Sequence, residues 1–132
     1  ATLPVIRRAG GGAIVVTASS VALRTDPELA CYSVSKHALI GLVQAAAAEA
    51  AAWGIRVNAV CPGAVATPMT AAADTAPGGA LARLHPMGRV GTAEDIAELV
   101  VFLASARASF ITGAAYPVDG GLTSVAVPRY RG

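Results

Sequence analysis

The sequence predicts an α/β protein in which parallel strands alternate with helices. Short runs rich in β-branched and apolar residues occur at 13–19, 55–63 and 113–121. Such runs are typical of strands buried in a parallel sheet. Helix-forming segments at 28–53 and 92–105 separate them. This order predicts a parallel sheet with right-handed crossovers and flanking helices.

The first strand is expected near the start of the chain. Residues 1–8 could form the end of a helix, and the glycines that follow interrupt it. The run AIVVTAS, at 13–19, then forms the strand. Asp26 is expected to cap the following helix, with Pro27 in its first turn.

The segment 28–53 is predicted to be one long helix. Four of its apolar residues recur at the i, i+3, i+4 and i+7 spacing that marks one helix face. They are Leu39, Leu42, Val43 and Ala46. The second half of the segment is largely alanine, which favours helix and lets a neighbouring element approach closely. Gly54 is expected to end the helix.

The second half of the chain continues with strand, connection, helix and strand. IRVNAVCPG, at 55–63, is predicted to be a strand that a Pro-Gly turn ends. Residues 64–91 are rich in Ala, Pro, Gly and Thr, and are expected to form a long, mobile connection with room for one short helix. This connection is expected to cover the substrate. The helix at 92–105 has a strong start, with Thr92 as its cap and acidic residues in its first turn.

The composition indicates one soluble globular domain. The 132 residues are 55% hydrophobic and 14% charged, which is too apolar for a disordered chain. No apolar run approaches the roughly 18 residues of a membrane-spanning helix. The scattered net charge of +2 indicates neither a nucleic-acid nor a membrane partner. Two cysteines suggest no disulfide framework and no metal site, and without a signal-peptide pattern a reducing cytoplasm is expected.

A tyrosine and the sole lysine of the chain stand one helical turn apart, in ACYSVSKHAL at 30–39. Residues four apart share a helix face, so Tyr32 and Lys36 can point into one small volume. A free phenol, with a pKa of about 10, is a poor base at neutral pH, and a nearby ammonium favours its ionised form. Such a pair can move a proton to or from an alcohol or carbonyl oxygen. The alternative is an ordinary surface pair, which the spacing alone does not exclude.

Other polar groups follow the ends of the predicted strands. Ser19 ends the first strand, and its hydroxyl could bond the same substrate oxygen, with Ser20 as the alternative. In PGAVAT, at 62–67, a Pro-Gly turn can bring backbone close to a flat ligand, and Thr67 adds a side-chain donor. Ligands of such sheets bind beyond the carboxyl ends of the strands. These groups, with the two glycines at 120–121, are therefore expected to gather at one edge of the sheet.

Five motifs in order make the chain resemble the C-terminal half of the classical short-chain dehydrogenase/reductases, which are Rossmann-type enzymes. The motifs are the strand ending in Ser19, YSVSK, IRVNAVCPGAVAT, GRVGTAEDIA and FITGAAYPVDGG, which cover about residues 10–122. The resemblance implies the C-terminal portion of a doubly wound parallel sheet with flanking helices. It also implies interconversion of a small secondary alcohol and a ketone with NAD or NADP, by an intact enzyme that is a homodimer or homotetramer.

The resemblance further implies a role for each matching position. Tyr32 would be the acid/base that contacts both substrate and cofactor. Lys36 would make this phenol more acidic and hold the nicotinamide ribose, and Ser19 would donate to the substrate oxygen. The segment that lines the nicotinamide would comprise Pro62, Gly63, Val65 and Thr67. Asn58 would support structure rather than chemistry.

Several features of the family's N-terminal half are missing from the chain: the glycine-rich cofactor turn, the residue that selects NAD or NADP, the Asn-Asn-Ala-Gly stretch and a catalytic Asn. The family's cofactor site begins with a glycine-rich turn after the first strand, of the Thr-Gly-x-x-x-Gly-x-Gly kind. The cluster AGGGA, at 9–13, precedes a strand instead. Residues 1–132 are therefore expected to be a single partial NAD(P)-binding domain that lacks its N-terminal cofactor half and is inactive by itself. The alternative is a non-catalytic remnant, or an oligomerisation module of the same fold.

The remaining reactive side chains have plainer interpretations. His37 is expected to be structural or on the surface. His85 lies in the connection 64–91, where contact with a substrate is the less favoured alternative. Cys31 and Cys61 are expected to be small buried residues.

Overall fold

The computed structural model describes residues 2–70 and 74–125. Within these residues, three parallel strands form one sheet in the order β1-β2-β3. The strands are β1 (Gly12–Thr17), β2 (Ile55–Pro62) and β3 (Ala115–Val118). The helices are α1 (Thr2–Arg8), α2 (Ala30–Ala50), α3 (Ala80–Leu84) and α4 (Ala93–Ala104). None of these helices combines the length and apolar character needed to cross a bilayer. The predicted parallel α/β architecture is confirmed.

The central strand β2 is buried on both faces of the sheet. Ile55, Val57 and Cys61 point to one face, where they join the core beneath α2. Val60 points to the other face and packs with Leu103 of α4. Successive side chains of a strand alternate between faces, so one apolar run supplies both cores.

α2 lies on the sheet mostly through the face that its sequence pattern predicts: Val43 is buried, and Leu39 and Ala46 pack against the same core. Its buried apolar residues are Val43, Ala47 and Ala50, spaced four and three apart. Leu42, which was expected on this face, is 59% exposed. The side chains of Ala47 and Ala50 are small, so the helix approaches β2 closely at this end.

The predicted start of α2 is wrong. Asp26 does not cap it: the helix begins at Ala30, and Leu29 occupies the capping position without a side-chain hydrogen bond. Glu28 has a φ of +65°, in the left-handed region. A residue in that region breaks a right-handed helix, so Pro27 cannot belong to the first turn of α2.

The glycine cluster before β1 allows two chain segments to pass in contact. Gly54 ends the 3-10 turn Ala51–Trp53 in the left-handed conformation, with a φ of +67°. Its carbonyl accepts the N–H of Gly12 at 3.1 Å. A Cβ on Gly11, whose φ is +113°, would lie only 2.7 Å from that same oxygen. Gly11 is therefore required by its conformation and by this contact.

α4 begins with the predicted cap. The Thr92 hydroxyl accepts the Asp95 N–H at 3.3 Å, and the Asp95 carboxylate accepts the Thr92 N–H at 2.8 Å. This reciprocal pair is a capping box. Arg89 also donates to the carboxylate, at 2.6 and 3.0 Å. The Arg89 guanidinium, and after it the Thr92 N–H, hold the pKa of the Asp95 carboxyl well below its ordinary value.

The connection between β2 and α4 contains more regular structure than predicted. A 3-10 turn spans Pro68–Thr70, and α3 follows at Ala80–Leu84. An isolated parallel bridge joins Val65 to Gly91, so the two ends of the connection lie side by side. Residues 71–73 lie outside the described residues.

Replacing the α4 cap is expected to destabilise the chain. Thr92→Ala removes the acceptor of the Asp95 N–H and should lower the free energy of unfolding by about 1 kcal/mol. Thr25→Ala is the matched control, because Thr25 is an exposed residue outside the helices and strands. It should change the free energy of unfolding by less than about 0.5 kcal/mol. Urea titration followed by circular dichroism measures both, and equal effects would contradict the capping role.

Candidate active site

Three loops meet at the carboxyl edge of the sheet because all strands are parallel. Ser19 and Ser20 follow β1, the turn 62–67 follows the last paired residues of β2, and the loop that begins at Asp119 follows β3. The first turn of α2, which carries Tyr32, starts at the same edge. In parallel α/β sheets this edge is where ligands bind.

Tyr32 and Lys36 are neighbours on α2. The Lys36 Nζ lies 5.6 Å from the centroid of the Tyr32 ring. Tyr32 is 43% exposed, while Lys36 is half-buried. The lysine therefore covers part of the ring, and the phenol remains accessible from solvent.

Ser19 sits in a backbone turn that packs against α2. The Ala18 N–H donates to the Val60 carbonyl at 2.8 Å and extends the pairing of β1 with β2 by one residue. Ser19 then caps the 3-10 turn Ser20–Ala22, its hydroxyl oxygen accepting the Val21 N–H at 3.4 Å. This bond uses a lone pair and leaves the hydroxyl proton free to donate.

Cys61 lies behind this turn and has no open face. It is fully buried in β2. Burial raises the pKa of its thiol, and a hydrogen bond from the Ser19 backbone offsets part of that rise. A buried thiol with a raised pKa is a poor nucleophile. Cys31, expected to be buried, is instead exposed.

Most of the backbone donors in the turn 62–67 are already used. Four of its N–H groups donate to neighbouring segments. The pairs are Gly63 to the Val118 carbonyl at 3.1 Å, Ala64 to His85 Nε2 at 3.1 Å, Ala66 to the Gly91 carbonyl at 2.9 Å, and Thr67 to Thr70 Oγ1 at 3.0 Å. The Val65 N–H is the donor of this turn for which the described part of the chain supplies no partner.

An apolar groove runs between this turn and α4. It has a volume of about 450 Å³. Its lining includes Thr17, Pro62, Val65 and Thr67 on one side and Ile96 and Val100 on the other. Three of the four residues predicted to line the nicotinamide, namely Pro62, Val65 and Thr67, are thus brought together. Gly63 is not part of the lining and instead packs against His85 and Asp119.

His85 is the residue whose importance the sequence pattern hides. It is 3% exposed. Its Nδ1 lies 2.8 Å from the Leu81 carbonyl, and its Nε2 accepts the Ala64 N–H. Both ring nitrogens are therefore occupied by the backbone, which argues against contact with a substrate. The sequence contains no signal for this, because the two partners lie 4 and 21 residues away and are main-chain atoms.

Three further polar side chains bind the backbone around the sheet, Asp119 at the carboxyl edge, and Arg56 and Asn58 in the first half of β2. Asp119 accepts the Gly121 N–H, the Thr123 N–H and the Thr123 hydroxyl at 3.0, 2.9 and 2.5 Å. Asn58 donates to the Ile111 carbonyl and accepts the Ala114 N–H, the structural role implied for it. Arg56 donates to the Leu103 and Ser105 carbonyls at the end of α4. The sequence Asp-Gly-Gly at 119–121 indicates the turn around Asp119, since short acidic side chains favour such turns.

Metal ligands do not cluster at this edge. Among residues 2–70 and 74–125, no three His, Cys, Asp or Glu side chains are placed to hold a metal ion together. Among the described residues, the phenol of Tyr32, the ammonium of Lys36 and the hydroxyls of Ser19 and Ser20 lie at this edge, with the apolar groove beside them.

The chain matches a family model described as "Enoyl-(Acyl carrier protein) reductase" over residues 1–123. It is 47% identical to a cyclohexanol dehydrogenase from an Acinetobacter species over 122 residues, which are 92% of this chain and 47% of that protein. It is 44% identical to 2-(S)-hydroxypropyl-CoM dehydrogenase 3 of Xanthobacter autotrophicus over 120 residues, 86% of this chain and 47% of that protein.

A solved structure shares the fold. A gluconate 5-dehydrogenase from Burkholderia cenocepacia, crystallised with NADP and tartrate, superposes with a TM-score of 0.86 at 32% identity. The superposition covers 93% of this chain and 49% of that one. The chain spans about half the length of the curated relatives that it matches, 47% for both dehydrogenases above.

A side chain at position 63 is expected to disturb the turn. In Gly63→Ala, the new Cβ would lie 2.7 Å from His85 Nε2 and 3.0 Å from the Asp119 Cα. Overpacking of this kind should lower the free energy of unfolding by about 1–3 kcal/mol. Gly41→Ala is the matched control, because nothing lies within 4 Å of its Cβ position in α2. It should raise the free energy of unfolding by about 0.5–1 kcal/mol.

Thermal and urea unfolding of both variants check this prediction. A stable Gly63→Ala protein would contradict the close approach of His85 and the loop after β3 to the turn.

Proposed function

The chain belongs to the short-chain dehydrogenase/reductase family, and we propose that its protein interconverts a secondary alcohol and a ketone with NAD or NADP. The observation that carries this proposal is the pairing of the Tyr32 phenol with the Lys36 ammonium at the carboxyl edge of the sheet. The Ser19 turn packs against the same helix. Because the chain spans about half of its relatives, the activity is proposed for the whole protein.

Tyr32 acts as the acid/base. In the oxidative direction its ionised phenol takes the proton of the substrate hydroxyl while the carbinol hydrogen leaves with its electron pair and the C–O bond becomes C=O. In the reductive direction the neutral phenol returns the proton to the developing alkoxide. The bound nicotinamide accepts or supplies the hydride.

Lys36 and Ser19 support this proton transfer. The Lys36 ammonium stabilises the negative phenol oxygen and can also donate to the ribose of the cofactor. The Ser19 hydroxyl donates to the substrate oxygen, where negative charge develops in the reductive direction. Ser20 is the alternative donor, and it lies in the same buried turn.

The turn 62–67 suits a nicotinamide. The groove lined by Pro62, Val65 and Thr67 is apolar and open, as a flat aromatic ring requires. The Val65 N–H supplies a backbone donor for the carboxamide, and the Thr67 side chain adds a second polar group at the rim. NADP in the gluconate 5-dehydrogenase supports this choice of cofactor class.

The intact enzyme is proposed to be a homo-oligomer, a dimer or a tetramer. The outer face of α2 carries Val34, 71% exposed, and Leu42, 59% exposed. Large apolar side chains on one helix, separated by small residues, suit a helix–helix contact between copies.

A second candidate is a non-catalytic module of the same fold. The observation that favours it is the exposed apolar surface of α2, which carries Val34 and Leu42 and could bind another copy of the fold. Titration of the full-length protein with NADH and NADPH, followed by turnover assays, separates the two candidates. Binding without any turnover of secondary alcohols or ketones would favour the non-catalytic module.

Removing the phenol oxygen is expected to abolish turnover. Tyr32→Phe in the full-length protein should lower kcat by about 10²–10⁴-fold because it removes the proposed proton donor and acceptor. Cofactor affinity, measured by quenching of protein fluorescence, should stay within about twofold, since a change below 0.5 kcal/mol is expected for one peripheral hydroxyl. Tyr116→Phe is the control, because Tyr116 packs in the core beside Val60. Full activity of Tyr32→Phe would contradict the assignment.

Replacement of Lys36 by arginine is expected to lower kcat. Lys36→Arg keeps the positive charge, yet its planar fork cannot reproduce the contacts of a compact ammonium. We expect kcat to fall by about tenfold or more, equal to about 1.4 kcal/mol. Arg8→Lys is the reciprocal control on an exposed helix end and should leave kcat unchanged. Steady-state kinetics measure both, and an unaffected Lys36→Arg enzyme would refute an ammonium-specific role.

A further inference from the structure

We propose that His85 is a positioning residue that holds the turn 62–67 in the conformation that binds the nicotinamide cofactor. The inference rests on the proposed function, because it assigns to His85 a part in that same site. His85 touches neither substrate nor cofactor in this proposal. It acts through the backbone of the turn, as the following contacts indicate.

The imidazole joins two segments through two bonds of opposite polarity. The Leu81 carbonyl can only accept, so Nδ1, 2.8 Å away, carries the proton. The Ala64 N–H can only donate, so Nε2, 3.1 Å away, accepts with its lone pair. The contacts therefore specify a neutral ring with its proton on Nδ1. A protonated ring would lose the bond to Ala64.

The backbone of neighbouring segments encloses the His85 imidazole. His85 is 3% exposed. A Cβ on Gly63 would lie 2.7 Å from Nε2, and a Cβ on Gly120 would lie 3.4 Å from the His85 Cβ. The imidazole thus fills the space between the turn after β2 and the loop after β3. Gly63 is needed for the ring to fit, whereas a Cβ at position 120 would be in ordinary van der Waals contact.

The bond to Ala64 controls the donor that remains for the cofactor. The Ala64 carbonyl and the Val65 N–H belong to one planar peptide unit. Gly91 donates to that carbonyl at 2.8 Å, while His85 fixes the preceding N–H of Ala64. Because both the N–H and the carbonyl of Ala64 are hydrogen-bonded, the orientation of the Val65 N–H is fixed. Loss of the His85 bond would release one of these two restraints.

The second bond connects the turn to α3. Leu81 and His85 lie on α3 and at its C-terminal cap. α3 belongs to the connection 64–91, which is expected to cover the substrate. His85 therefore links the substrate-covering segment to the cofactor turn, and the two bonds can be tested separately because different side chains preserve different halves of the imidazole.

Two substitutions separate the two hydrogen bonds of the His85 imidazole. In His85→Asn, the amide nitrogen takes the place of Nδ1 and can keep the bond to Leu81, but nothing reaches Ala64. In His85→Gln, the amide oxygen takes the place of Nε2 and can accept from Ala64, but the donor to Leu81 is lost. In the full-length protein, we expect His85→Asn to raise the Kd for NADH or NADPH by about tenfold, since the Ala64 N–H loses its acceptor. His85→Gln should stay within about threefold of the parent.

The control is a second histidine with the same local bond. The His37 Nδ1 lies 2.9 Å from the carbonyl of Ser33, four residues earlier in the chain. The His85 Nδ1 has the same relation to the carbonyl of Leu81. His37 is exposed on α2 and has no contact with the turn. His37→Asn should leave the Kd for either cofactor unchanged. Melting temperatures of all variants, measured without cofactor, report how far each change affects folding.

The reverse order of affinities, with His85→Gln weak and His85→Asn normal, would overturn the proposal and leave His85 as an anchor of α3 alone. Equal losses in both variants, matched by equal losses of melting temperature, would overturn it in favour of simple packing. If His85→Asn fails to fold, His85→Gln decides: retained affinity supports the proposal, and a tenfold loss overturns it. A parent protein that binds neither cofactor refutes the proposed function itself, whereas a binding parent with an unaffected, folded His85→Asn refutes only the positioning role.

Discussion

The pairing of β2 with a parallel strand on each side is the constraint on which the rest of the structure depends. All three strands run the same way, so the chain leaves each of them at one edge. The chain must then return along a helix before the next strand begins, which places α2 and α4 on opposite faces. Polar residues can follow each strand without entering the apolar core. The carboxyl edge is thereby the place where the chain can present a phenol, an ammonium and hydroxyls together.

Polar side chains of β2 also position backbone that lies outside the sheet. Arg56 and Asn58 point toward the α4 side, where an apolar strand residue would be expected. Their partners are main-chain groups between the end of α4 and β3. Both residues satisfy backbone atoms that no regular element satisfies, and buried groups of this kind are costly when unpaired. The central strand therefore determines the path into β3 as well as the sheet itself.

The sequence predicted the elements well where local chemistry decides them, and poorly where distant contacts do. The Thr92 cap was predictable because its partner is three residues away on the same helix. The start of α2 was not, because the left-handed Glu28 overrides the capping tendency of Asp26. Leu42 has the spacing of the buried face and yet is exposed, whereas Val43, which was predicted with it, lies against the sheet together with Ala47 and Ala50. Spacing defines a face only to within about one residue on a helix that is apolar on several sides.

The residues of the candidate site also divide into those that local spacing predicts and those that distant contacts position. Tyr32 and Lys36 are four residues apart on one helix, so their proximity could be anticipated from spacing. The turn 62–67 could be placed at the right edge from strand order, but not its hydrogen bonds. Those bonds come from β3, from His85 and from the far end of the connection, and none of these partners is near in sequence. They engage nearly every donor of the turn. What the turn can offer a ligand is therefore decided by which of its backbone groups the fold leaves unused, and the N–H of Val65 is the donor of this turn to which the described residues give no partner.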